Sequence, residues 1–250
     1  MSLMNDKMSR KSDSPFGYLG DEELRFVSRA ASRLQACQAE LDRIGHSAVS
    51  KLLADVELLN SDKIYPADTV EDAQSASQYY FHAHSDRTGE YGHFHTYLMP
   101  AGLPQNMRSI KPATQGDHAN PHKTHCHLVG ISVDDHGDAI GLFTINHWSS
   151  QEAVYNPRDL QRALVRFEIT HDEPCSLVNA WVTNVLHCFL PQIRMLFDER
   201  EMRLAQLDQQ APKVPANEDE TLEVPSEIGI SIPHQLDEIW REMEWRGFAT

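Results

Sequence analysis

The sequence is poor in the features that place a chain early in a familiar class. Its 250 residues hold four cysteines, Cys37, Cys126, Cys175 and Cys188, with no CxxC pair among them. That count is too low for a disulfide scaffold and makes a reducing cytoplasm the expected compartment. No run of ~18 apolar residues occurs, so no helix is expected to span a membrane. The first fifteen residues lack the apolar stretch of a secretory signal. Positive charge is also scarce, with 22 Lys and Arg against 37 Asp and Glu, a formal net charge of −15. A field of that sign repels phosphate backbones, which argues against nucleic acid as a partner. P-loop, GxGxxG, GxSxG and HExxH motifs are absent, so nucleotide binding, elbow-type serine chemistry and zincin-type proteolysis lack support.

Histidine is what the chain has in abundance. There are 14, and ten of them fall between His82 and His147, where an even spread would place between three and four.

The hydrophobic pattern sorts the chain into helix, strand and helix again. Leu24, Val27, Ala31, Leu34 and Leu41 recur at helical spacing, with Asp21 placed to cap and Gly45 to terminate. A second short helix is expected over 46–60 and a loop over 61–77. Strands are expected over 78–84, 92–99, 125–133 and 139–148, with a tight turn at Asp135-His136-Gly137-Asp138. The intervening stretch 100–123 carries four prolines and reads as a long, functional loop. Helices return over 157–167 and 176–209, the second broken near Leu190 by Pro191. The expected class is therefore α+β, an antiparallel sheet at about 78–148 packed by N-terminal and C-terminal helices. A flexible start (1–20), one domain (21–210) and an acidic extension with a short helix (211–250) complete the expected organisation. Residues 214–250 hold nine acids against two bases, and a solvated surface is the plain explanation of that run.

Within the strands the histidines come in HxH pairs: His82 with His84, His93 with His95, His125 with His127. Alternation puts each pair on one face. Pairing His84 with His93 also pairs His82 with His95, which gathers four imidazoles. A turn at His136-Gly137 pairs His127 with Asn146. Neutral imidazole is a common ligand for transition metals, and three such ligands leave a position open for water or substrate. Candidate metal ligands are thus His82, His84, His93, His95 and His127, for a divalent ion such as Zn, Fe, Ni or Mn. Glu90 is a candidate oxygen ligand or general base, and Asn146 a candidate for orienting substrate or water. Buried histidines also bond backbone or stack on aromatics, so a pocket that binds a small molecule without bond chemistry is the competing reading. Cys126 lies between His125 and His127, and alternation sends it to the opposite face, away from a Cys–His dyad.

Two known metal motifs lie close to these pairs. The cupin pattern needs a glutamate soon after the second histidine, which the sequence does not supply. His82-Ala83-His84-Ser85-Asp86 is similar to the HxHxD zinc motif of the metallo-β-lactamases, which would make Asp86 a further ligand. The helices expected before it, and the strand expected after it, do not suit that fold.

A longer stretch resembles an uncharacterised bacterial family catalogued as a domain of unknown function. The residues that carry the likeness are His82-Ala83-His84, Gly89-Glu90-Tyr91-Gly92-His93-Phe94-His95, Leu142-Phe143-Thr144 with Asn146 and Trp148, and Pro191-Gln192-Ile193. The family pattern reads HAH…GEHGHFH…LFTTN-x-W, and the resemblance covers about 30–230. It implies no activity. This chain has Tyr91 where the pattern has His, and His147 where it has Arg. His125 is not in the pattern, which ranks His127 above it.

Overall fold

The structure is a computed structural model and describes residues 15–83, 89–110, 125–150, 152–210 and 213–248. Helices α1 (Asp21–Arg43) and α2 (Ala48–Leu52) come first. Five strands follow: β1 (Ile64–Asp72), β2 (Ser77–Ala83), β3 (Gly92–Leu98), β4 (Cys126–Val133) and β5 (Ala139–Thr144). After them come α3 (His147–Ser150), α4 (Pro157–Leu164), α5 (Ser176–Cys188), α6 (Leu190–Gln209), β6 (Ser226–Gly229) and α7 (Ile232–Trp245). The six strands form one antiparallel sheet in the order β1 to β6. This is the α+β architecture the hydrophobic pattern implies. No described helix is long and apolar enough to cross a membrane.

One face of the sheet makes the core. Tyr79, Phe81, Phe94, Ile131 and Leu142 are fully buried there, and the Phe94 ring lies 5.5 Å from that of Trp181 on α5. Helix α5 is apolar on nearly every side, and α1 packs along it. Gly20 takes the N-cap position of α1, while Asp21, Glu22 and Glu23 fill the first turn, where carboxylates complement the helix dipole. Pro191 falls in the first turn of α6, so the chain breaks after Cys188, as its missing N–H requires.

The stretch read as an acidic extension contributes β6 and α7 to this body. Arg246, just beyond α7, donates to the carbonyls of Leu19 and Phe16 at 2.8 and 3.0 Å.

Three local expectations are corrected. Residues 64–72, expected as loop, form edge strand β1. Pro66 is tolerated there because an edge strand leaves some N–H groups outside the ladder. The second helix is one short turn, Ala48–Leu52. The strand expected to reach 148 ends at Thr144, and the chain turns into α3.

Registers decide which histidines meet. Between β2 and β3, His82 pairs with His93 and Tyr80 with His95. The expected register is therefore displaced by two residues. An even displacement keeps every side chain on its face. Gly92 sets this register: a Cβ there would lie 2.5 Å from both the His82 carbonyl and the Phe81 ring. Between β4 and β5, Gly130 pairs with Phe143 and Ser132 with Gly141, the expected register. It does not reach His127 and Asn146, because the Asn146 N–H donates to the Glu223 carbonyl instead.

Candidate functional site

The sheet face opposite the core carries the histidines. Tyr80 and His82 come from β2, His93, His95 and Tyr97 from β3, His127 and Ser132 from β4, and Phe143 from β5. His127 joins them through a bulge. His95 pairs with Gly130 and Tyr97 with His127, so two steps on β3 match three on β4. His84 lies outside the described residues, as do Asp86, His118 and His122.

Four imidazoles form a row. Ring centres are 5.5 Å apart from His82 to His93, 4.5 Å from His93 to His95, and 5.2 Å from His95 to His127. At the last step Nδ1 of His95 and Nε2 of His127 approach to 3.0 Å. Phe143 lies across the row, 5.1 Å from the His93 ring and 5.9 Å from that of His95. Gly130 makes room for it, since a Cβ there would come within 2.2 Å of the Phe143 ring. At the β2 end, His82 Nε2 bonds the Ser61 carbonyl, which ties that ring to the backbone.

Glu90 enters from the turn before β3. Its Oε1 is 2.6 Å from His93 Nδ1, and its Oε2 accepts from Ser132 Oγ at 2.9 Å. The Glu90 and His93 side chains are both nearly buried. Ser132 and His93 are register partners, so adjacent strands hold the carboxylate from two sides. A carboxylate on one ring nitrogen fixes the tautomer and orientation of the other. A cavity of about 310 Å³ opens beside this dyad, lined by Glu90, Ser132, Gly141, Phe143 and Glu227.

Burial, Arg200 and His93 together push the His127 imidazole down to about 3, so it is neutral near pH 7. Its backbone N–H donates to Glu152 Oε2 at 2.9 Å, and burial holds that carboxyl well above the usual carboxylate range. The Tyr80 and Tyr97 hydroxyls lie 2.8 Å apart, and burial raises both phenols. A second cavity of about 520 Å³ begins at His127 and includes Asn146, His147, Glu152 and Arg200 in its wall.

The sequence candidates therefore divide. His82, His93, His95, His127 and Glu90 share one face. Asn146 is engaged elsewhere: its Nδ2 donates to the carbonyls of Ala216 and Leu222, both at 2.9 Å. Its Oδ1 accepts the His147 N–H at 2.8 Å. Trp148 also donates to the Leu222 carbonyl, at 2.7 Å, so the N-x-W element fastens the segment 216–222. Cys126 is buried, and burial raises its thiol, which disfavours the thiolate form. Among the described residues no group of three or more His, Cys, Asp or Glu side chains is arranged to hold a metal ion.

Sequence reasoning passed over Tyr80, Tyr97, Ser132, Glu152 and Arg200. Alternation from His82 and His95 would have found the two tyrosines. Glu152 and Arg200 reach the site through tertiary packing, which leaves no spacing signal.

The fold and this face can be set beside known proteins. The model of a family described as a domain of unknown function, DUF6969, matches residues 28–230. The chain belongs to that family, and the match spans the whole imidazole row. No curated protein and no solved structure matches the chain.

Proposed function

We propose that the imidazole row is the working surface of a metal-dependent enzyme in a reducing, cytoplasmic setting. One observation carries this reading: two imidazole nitrogens from neighbouring strands, His95 Nδ1 and His127 Nε2, converge to 3.0 Å. Two nitrogens at the right angles of octahedral or square ligation, each ~2.1 Å from the ion, are separated by about 3.0 Å. His127 is already neutral, as a ligand must be. His93 is the third candidate. The Glu90 carboxylate at its Nδ1 is the outer partner that metal-bound histidines commonly have. A divalent ion there, Zn, Fe, Ni or Mn, would supply Lewis-acid or oxygen chemistry to a small substrate entering beside Glu90.

The experiment is titration of chelator-treated, tag-free protein with each metal, followed by calorimetry. The reading expects one equivalent of at least one metal to bind, and binding to be lost in the His93→Ala/His95→Ala double variant. Unchanged binding in the variant would move the site elsewhere.

A second reading, a small-molecule-binding protein without bond chemistry, draws on the same 3.0 Å contact. An N–H···N hydrogen bond between the two rings has that length and satisfies both without an ion. A chain that binds none of the metals favours it.

A further inference from the structure

We propose that the larger cavity is a binding site for a small organic carboxylate, seated on the guanidinium of Arg200 with its apolar body against Ile110, Ile145 and Leu204. The cavity holds about 520 Å³, a size that suits a small organic molecule. Arg200 is 9% exposed, so its charge is taken almost wholly out of water. Guanidinium carries five N–H donors in a fixed plane. Nε and Nη2 of Arg200 donate to Glu201 Oε1 at 3.0 and 2.8 Å, and Nη2 donates also to the Tyr155 carbonyl at 3.1 Å. Nη1 makes no hydrogen bond among the described residues, which leaves that end of the guanidinium able to donate to a ligand. Arg200 lies in a wall of the cavity.

The rest of the wall narrows the class. Glu201 and Asp208 also line the cavity and oppose a second negative charge, so a phosphate dianion is disfavoured. A carboxylate matches a guanidinium in shape and carries one charge. Apolar side chains from several elements complete the lining and suit an alkyl or aryl body. The inference stands apart from the metal reading because Arg200 needs no ion to hold an anion.

The test uses the full chain, as purified and after chelation, with hexanoate, benzoate, hexanamide and inorganic phosphate as calorimetric probes. Hexanoate or benzoate should bind in both preparations, with hexanamide about tenfold or more weaker and phosphate silent. Arg200→Gln should weaken the acid by about tenfold or more. Since Arg200 also holds the Tyr155 carbonyl, Leu204→Trp, which fills the cavity from another wall, is the companion variant and should block binding in a folded chain. The assignment is overturned if neither acid binds at about 10 mM, or if hexanamide binds as tightly as hexanoate. It is also overturned if folded Arg200→Gln and Leu204→Trp both keep full affinity. Binding that requires added metal likewise overturns it, since the anchor is then the ion.

Discussion

Acid should weaken this fold through His187. The residue lies on α5, its ring 4.8 Å from that of Phe26, and it is buried. Burial first, together with the nearby Arg33 charge, outweighs a hydrogen bond with the Phe167 backbone and pushes the imidazole down to about 4. Its Nε2 has no hydrogen-bond partner among the described residues. In the unfolded chain the same ring takes a proton near its ordinary 6.5. Above pH 6.5 neither state binds this proton, and the group leaves stability unchanged. As pH falls from 6.5 to about 4 the unfolded state gains a proton that the folded state refuses, so stability is lost. The gap between the two values corresponds to ~3 kcal/mol. His187→Gln cannot titrate. Urea unfolding of both proteins at pH 7.5, 6, 5 and 4.5 isolates the effect, because other groups titrating in that range, His127 among them, are common to both chains. The stability of the variant relative to wild type should rise by about 2–3 kcal/mol between pH 7.5 and 4.5. A difference that stays level across the series refutes the argument.

Other substitutions probe the supports of the imidazole face. Gly130→Ala puts a methyl 2.2 Å from the Phe143 ring; it should cost about 1–3 kcal/mol in thermal or urea unfolding, and an unchanged midpoint contradicts the packing described. Tyr79→Phe removes the 2.6 Å hydrogen bond to Asn179 Oδ1 in the core, with an expected loss of about 1–3 kcal/mol because that oxygen stays buried. Asn146→Ala should lower stability by a similar ~1–3 kcal/mol, since it removes both side-chain bonds to the segment 216–222 and leaves Trp148 as the remaining side-chain tie to Leu222. Should it leave stability intact and impair ligand binding, Asn146 belongs to the site after all.

The strands of the histidine region were legible because period-two alternation survives an error of register. His82 and His93 face each other one pleat away from the expected pairing, and the same side chains still share a face. The break at Pro191 was legible for a local reason as well: its ring and missing N–H act wherever the helix runs. Strand β1 was hidden because it is an edge strand with a proline and polar side chains, which imitates loop composition. The role of Asn146 was hidden because its partners lie 70 and 76 residues downstream. The bulge that brings His127 to His95 is a pairing between strands, invisible in either strand alone. Glu90's place on the histidine face was legible from its position beside His93, although its second anchor, Ser132, comes from β4.

The central claim concerns the pair of nitrogens at the end of the row. It is tested most directly by the metal content of the full chain, purified without a histidine tag or chelator and measured by elemental analysis. About one equivalent of Zn, Fe, Ni or Mn per chain is the expected result, falling to background in His95→Ala. Less than about a tenth of an equivalent of every metal, in protein that also takes up none when metal is added back, would contradict the account.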